Sequence, residues 1–74
     1  MDTMTTIREI LWEKHEISAE KVATASTMDD LGLDSLAATE LICELEDRLA
    51  VDLGDDVDEA KTIGELIGYV DKIR

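Results

Sequence analysis

The chain has 74 residues, of which seven are basic and nineteen acidic, and its formal net charge is −12 at pH 7. This length predicts one domain over residues 1–74, whose folding buries only about 60% of the surface of the unfolded chain. A chain this negative is repelled by the phosphates of nucleic acid and attracts basic proteins, so we expect protein partners and no nucleic acid. No apolar run approaches the roughly 20 residues of a membrane span, so we expect no membrane insertion. The first residues lack the features of a signal peptide, and the lone Cys43 fits a reducing compartment, which together favour the cytoplasm.

The negative charge is concentrated in the middle of the chain. Residues 29–60 contain twelve acidic residues and a single basic one, Arg48, so this segment alone carries −11. A field of this sign would steer basic proteins towards the segment. Solubility alone explains such a charge equally well, so docking needs support from other features.

A first helix is predicted over residues 3–16, where four apolar residues follow helical spacing. The run Thr6 to Glu9 matches a capping box, although the helix could begin earlier, at Asp2 or Thr3. Residues 17–34 predict a long connection with one helical turn over residues 18–21. A connection of this length in a compact domain is usually functional or a linker.

The strongest helix is predicted over residues 35–50, where apolar residues recur at i, i+4, i+7 and i+11. Asp34 or Ser35 is suited to cap its start. Glu44 and Arg48 form a favourable i,i+4 pair on its surface.

A short helix is predicted over residues 55–60 and a clearly amphipathic last helix over residues 63–73. The run Thr62 to Glu65 matches a second capping box. No convincing alternation of a β-strand occurs. The predicted fold class is therefore all-α, a small bundle of three main helices plus one short helix, with a long loop between helices 1 and 2.

Few residues suggest catalysis or metal binding. One cysteine and one histidine cannot form a zinc site, and no glycine-rich phosphate loop occurs. His15 lies near a helix end, where it suits the helix dipole better than a catalytic role. One acidic cluster lacks the spacing of a calcium-binding loop; it consists of Asp52, Asp55, Asp56, Asp58 and Glu59. We therefore expect neither an enzyme nor a metal site.

Ser35 has a functional interpretation beyond capping. A serine at a helix start is usually only a cap. However, Ser35 follows a long loop and so can be exposed, and it lies at the positive end of a helix dipole, which favours a phosphate. The next helical turns present Leu36, Thr39, Glu40 and Cys43 on a face separate from the apolar stripe.

The run Asp30 to Leu36 (DLGLDSL), with Glu40-Leu41 and several later acidic residues, resembles the acyl carrier protein family. The acidic residues are Glu44, Glu46 and Asp47. The resemblance covers essentially the whole chain, and the charge of −12 with a start at its own Met favours the free-standing type II form. It implies that a phosphopantetheinyl transferase attaches 4′-phosphopantetheine from coenzyme A to the Ser35 hydroxyl as a phosphodiester. The thiol of that arm would hold acyl groups as thioesters for partner enzymes.

The resemblance also implies roles for other residues. Asp34 would help the transferase recognise the site. A partner face would bind basic docking patches on acyl synthases and transferases; it comprises Leu36, Thr39, Glu40, Cys43, Glu46 and Asp47. An acyl pocket would shelter the cargo between the helices; it comprises Ala38, Ile42, Leu45, Leu49, Leu53, Ala60 and Ile63. All of these pocket residues are expected in the core whether or not a chain enters, and the protein is expected to be a monomer.

Three other functions remain open. Within the family, the cargo could be an amino acid or peptide rather than an intermediate of fatty-acid or polyketide biosynthesis. In another class, an unmodified acidic domain would only dock partners, and Ser35→Ala would then leave its function intact. An acidic ion-binding module would be detected by calorimetry with calcium.

Overall fold

The computed structural model describes residues 2–54 and 56–73, without the side chains of Asp56 and Asp58. Its helices are α1 (Thr3–His15), α2 (Ser35–Leu49) and α3 (Ile63–Ile73), with 3₁₀ turns at Ala19–Lys21 and Asp56–Glu59. The described ranges contain no strand, and a single β-bridge joins Thr27 and Thr62. The all-α class is confirmed, with three main helices, a short fourth turn and a long loop after α1.

Some predictions fall outside what is described. In the acidic cluster that lacks calcium-loop spacing, Asp55 and the side chains of Asp56 and Asp58 lie outside the described residues. In the part of the chain that is described, no group of three or more His, Cys, Asp or Glu side chains could hold a metal ion. No helix there is long and apolar enough to cross a bilayer.

α1 begins before the predicted capping box. Asp2 is the N-cap residue, and its carbonyl accepts hydrogen bonds from the Thr6 amide at 3.1 Å and the Thr6 hydroxyl at 3.2 Å. Thr6 is fully buried within the helix. The capping box at Thr6 to Glu9 is therefore wrong, and the earlier start is confirmed, because Asp2 occupies the N-cap position and Thr6 lies inside the helix.

One apolar cluster holds the three helices together. Its members come from all three helices and from the loops between them: Ile7, Ile10, Leu11, Val22, Leu33, Leu41, Ile42, Leu45, Leu53, Val57, Ile63, Leu66 and Val70. Burial of each large aliphatic side chain stabilises the fold by about 1.5–3 kcal/mol. The core contains no aromatic ring of its own, and half-buried Tyr69 packs against its edge.

The long connection between α1 and α2 binds the start of α3. The Ile63 amide donates to the Ser26 carbonyl and the Gly64 amide donates to the Thr24 carbonyl, both at 2.9 Å. These loop carbonyls satisfy amides that the first turn of a helix otherwise leaves unpaired. The connection is therefore a fixed part of the fold.

α1 also holds this connection. The Arg8 guanidinium donates to the Val22 carbonyl through Nη2 at 2.8 Å and Nε at 3.3 Å. Val22 itself is buried in the core. The loop is thus bound by α1 on one side and α3 on the other.

The second predicted capping box is confirmed in part. The Glu65 amide donates to Thr62 Oγ1 at 3.1 Å. The Glu65 carboxylate accepts from the Lys61 amide at 2.7 Å rather than from Thr62. Both bonds order the segment that enters α3.

Candidate functional site

A compact turn over residues 27–33 leads into α2. The Thr27 amide donates to Asp30 Oδ2 at 3.1 Å, and the Asp30 amide donates to Thr27 Oγ1 at 3.0 Å. The Leu33 amide closes the turn on the Met28 carbonyl at 2.9 Å. Because Leu33 is buried, the turn holds the start of α2 at a fixed position on the core.

Asp34 caps α2. Its Oδ1 accepts from the Ala37 amide at 2.8 Å, and its carbonyl accepts from the Ala38 amide at 2.9 Å. Of the two candidate caps, Asp34 is therefore the one used, and Ser35 is the first helical residue. A cap of this kind is worth about 1 kcal/mol.

The Ser35 hydroxyl is exposed and forms no hydrogen bond with any described residue. Its carbonyl accepts from Thr39 Oγ1 at 2.9 Å. The amides of Ser35 and Leu36 have no acceptor among those residues either. Free amides at the positive end of a helix favour a phosphate. A hydroxyl without a partner at that position fits a phosphate ester.

Ser35 borders a surface groove of about 710 Å³, between α2 and the segment that enters α3. The apolar part of its lining comes from both sides of the groove: Met28, Leu33, Ala38, Ile42 and Ala60. The groove is partly open to solvent, and Ser35 itself is one of its lining residues. It therefore offers a place for a group attached to that hydroxyl.

The structure divides the predicted acyl pocket into two sets. Ala38, Ile42 and Ala60 line the groove beside Ser35. The other four, Leu45, Leu49, Leu53 and Ile63, pack in or against the core cluster and do not line the groove. Leu45 and Ile63 are completely buried. Insertion of an acyl chain between the helices stays a prediction.

Most of the predicted partner face is open to solvent. Five residues are exposed, with Leu36 exposed by 69%: Leu36, Thr39, Glu40, Cys43 and Asp47. Glu46 differs, because it is half-buried and its Oε2 accepts from the Leu53 amide at 2.9 Å. That bond gives Glu46 a role in the chain reversal after α2.

The structure brings α1 beside this face. A second groove, of about 330 Å³, is lined by α2 residues, four of them from the face, and by Ile10, Lys14 and His15 of α1. The His15 Nε2 atom is buried and has no hydrogen-bond partner in the described part. Sequence reasoning missed this grouping, because these residues are far apart in the chain and no local pattern connects them.

Arg48 connects α1 and α2 away from Ser35. Its Nε donates to Glu44 at 3.0 Å, which confirms the predicted i,i+4 pair, and its Nη1 donates to Glu13 at 2.9 Å. The hydrogen bond and charge of Arg48 lower the pKa of the Glu13 carboxyl. The hydrogen bond to Glu13, and to a smaller extent the one to Glu44, raise the pKa of the Arg48 guanidinium. The link to α1 was missed, since it joins residues 35 positions apart.

A comparison with known protein families supports an attachment function. A family model described as "Phosphopantetheine attachment site" matches residues 5–70. The match includes nearly all of α1, the whole of α2 and the turn that precedes it, and most of α3. The exposed serine hydroxyl therefore lies inside the matched region.

Proposed function

The chain belongs to the phosphopantetheine attachment-site family, and on that premise we propose that Ser35 is the residue that holds the arm. Members of this family carry covalently attached 4′-phosphopantetheine, so the chain is a carrier protein. The chain has three serines. The Ser26 hydroxyl is engaged by the Ala23 amide and the Lys21 carbonyl. This leaves Ser18 and Ser35 as alternatives.

Ser35 is the better candidate because of its surroundings. Ser18 is half-buried and precedes a 3₁₀ turn of only three residues. Ser35 is exposed at the start of a helix of fifteen residues. A longer helix presents a fuller dipole to an attached phosphate. The free, exposed hydroxyl of Ser35 at this end of α2 is the observation that carries the proposal.

In the loading step, Ser35 Oγ forms a bond to the phosphorus next to the pantetheine of coenzyme A. The bond between the two phosphates of coenzyme A breaks, and the nucleotide leaves. Asp34 is engaged in capping through Oδ1, and no described residue hydrogen-bonds the Ser35 hydroxyl. The transferase therefore supplies the base that takes the proton, while Asp34 contributes to recognition.

The family implies interactions with a phosphopantetheinyl transferase and with biosynthetic enzymes, and carrier domains are generally non-catalytic. The proposal extends this to a monomeric, cytoplasmic carrier of acyl groups in fatty-acid or polyketide biosynthesis. The thiol of the arm provides the thioester linkage when the arm is attached. Support comes from the charge of −11 over residues 29–60 and from the exposed partner face, which suit basic patches on synthases and transferases.

Intact-protein mass spectrometry tests the attachment site. After incubation with coenzyme A and a broad-specificity transferase, the wild-type chain is expected to gain the mass of one arm. Ser35→Ala is expected to gain nothing. Ser18→Ala is the matched control, since the Ser18 side chain makes no capping bond, and it is expected to be loaded fully. A mass gain in Ser35→Ala, or none in the wild type beside a loaded reference carrier, contradicts the proposal.

A further inference from the structure

The groove beside Ser35 contains one basic side chain, that of Lys61. Its other ionisable lining residues are Asp29 and Asp34. The segment 29–60 that precedes Lys61 carries −11. An anion that a covalent link holds in so negative a setting is repelled by the surrounding carboxylates, and the Lys61 ammonium is the group in the groove lining that offsets this repulsion.

The Lys61 ammonium has no partner among the residues that the structure describes. Among the described residues, Arg8 donates to a backbone carbonyl, Arg48 pairs with carboxylates and Lys72 lies over the Tyr69 ring. The Lys61 side chain forms no ion pair or hydrogen bond with any described residue. Its charge is therefore available to a bound group.

The backbone of Lys61 is held in place. Its amide donates to Glu65 Oε2 at 2.7 Å, and its carbonyl accepts from the Met28 amide at 3.3 Å. The next residue, Thr62, forms the β-bridge to Thr27. These contacts fix the Lys61 backbone, while the flexible four-carbon side chain allows the ammonium to move along the groove.

We propose that the Lys61 ammonium is the counter-charge for an anionic group held at Ser35. The inference rests on the proposed function, since it needs a group at Ser35. Two sources offer the same chemistry: the phosphodiester of the arm and a free carboxylate at the end of a dicarboxylic cargo. If the phosphodiester is the source, Lys61 responds to the arm alone. If the carboxylate is the source, Lys61 responds only when a dicarboxylic cargo is attached.

The first experiment compares the apo chain with the chain loaded from coenzyme A, butyryl-coenzyme A and succinyl-coenzyme A. The two acyl groups have equal carbon number and differ in the terminal carboxylate. The readout is the NMR cross-peak of the Lys61 Cε–Hε group, with Lys21 and Lys72 as controls outside the groove. A shift in all three loaded forms supports the phosphodiester as the source, and a shift confined to the succinyl form supports the carboxylate.

Full loading by mass with no shift at Lys61 beyond the shifts of Lys21 and Lys72 overturns the inference and leaves the proposed function intact. A sample that gains no mass contradicts the attachment at Ser35 instead. The two failures are therefore distinguishable.

A second experiment uses Lys61→Gln, which keeps the backbone bonds of residue 61 and removes the charge. The comparison uses whichever loaded form shifts the Lys61 cross-peak. Loading is expected to lower the unfolding equilibrium constant of the wild type by up to about fivefold more than that of Lys61→Gln. The difference is expected to shrink in high salt, because salt screens the pair. Lys72→Gln is the control and is expected to match the wild type. Equal effects of loading in Lys61→Gln and wild type contradict the role.

Discussion

The Gly64 amide in α3 donates a hydrogen bond of 2.9 Å to the Thr24 carbonyl in the long connection. A Cβ atom added at Gly64 would lie 3.0 Å from that same oxygen. The close approach of the two backbones therefore depends on the absence of a side chain. The contact also fixes the loop that forms one side of the groove beside Ser35.

Gly64→Ala is accordingly expected to be less stable than the wild type. Alanine raises helix propensity by about 1 kcal/mol relative to glycine. Overpacking against a held backbone oxygen costs about 1–3 kcal/mol, which matches or exceeds that gain. Gly68→Ala is the matched control in the same helix, where an added Cβ meets nothing within 4 Å. It is expected to raise the melting temperature by about 4–8 °C. Similar increases in both variants would show that the Thr24 loop yields without cost.

Replacement of Asp34 separates capping from recognition by the transferase. Asp34→Ala loses the 2.8 Å bond from the Ala37 amide and is expected to lose about 1 kcal/mol in the free energy of unfolding. Asp34→Asn keeps a capping oxygen, so thermal denaturation is expected to show little change. Its loading rate is expected to fall, because the carboxylate charge is lost. Loading of Asp34→Asn at the wild-type rate would leave Asp34 with the capping role alone.

Charge reversal on the partner face distinguishes Glu40 from Glu46. Glu40 is exposed, so Glu40→Lys is expected to change stability by no more than about 0.5 kcal/mol while turnover by partner enzymes falls. Glu46→Lys also loses the bond from the Leu53 amide and is expected to cost about 1–3 kcal/mol of stability. Thermal denaturation and a partner assay measure the two effects.

Glu46→Gln is the informative control for this pair, since it retains an acceptor for Leu53 and removes the charge. It is expected to preserve stability and still weaken partner turnover. Turnover unchanged in both Glu40→Lys and Glu46→Gln would remove this surface from the docking site.

The contact between Glu13 and Arg48 is expected to weaken in acid. Arg48 lowers the pKa of Glu13 below its ordinary value of 4.5. The stabilisation is therefore fully present above pH 4.5 and is lost as the pH falls through the lower pKa of the folded state. Melting temperatures measured from about pH 6 to about pH 3 are expected to fall less steeply for Glu13→Gln than for the wild type. High salt is expected to reduce the difference, since the Glu13 carboxylate is exposed. If the melting temperatures of Glu13→Gln and the wild type fell equally with pH, the pair would make no contribution to stability.

Local patterns were sufficient to predict the helices and the exposed serine. The helix predicted over residues 35–50 is observed as Ser35–Leu49, because hydrophobic spacing and a capping residue act within a few turns of the chain. A local pattern gave a wrong prediction at Thr6, where a capping-box sequence lies inside α1 rather than at its start. A motif of four residues does not reveal whether an earlier residue, here Asp2, already occupies the N-cap position.

The sequence by itself determined the all-α class, the acidic surface and the position of Ser35 at the head of α2, since each depends on composition or on neighbours in the chain. Only the tertiary structure decided which distant residues meet. The packing of α1, α2 and α3 brings Arg48 to Glu13, places Gly64 against Thr24 and sets Lys61 in the groove beside Ser35. These contacts depend on how the helices and loops pack around a shared core, and the periodicity of one helix contains no information about its neighbours.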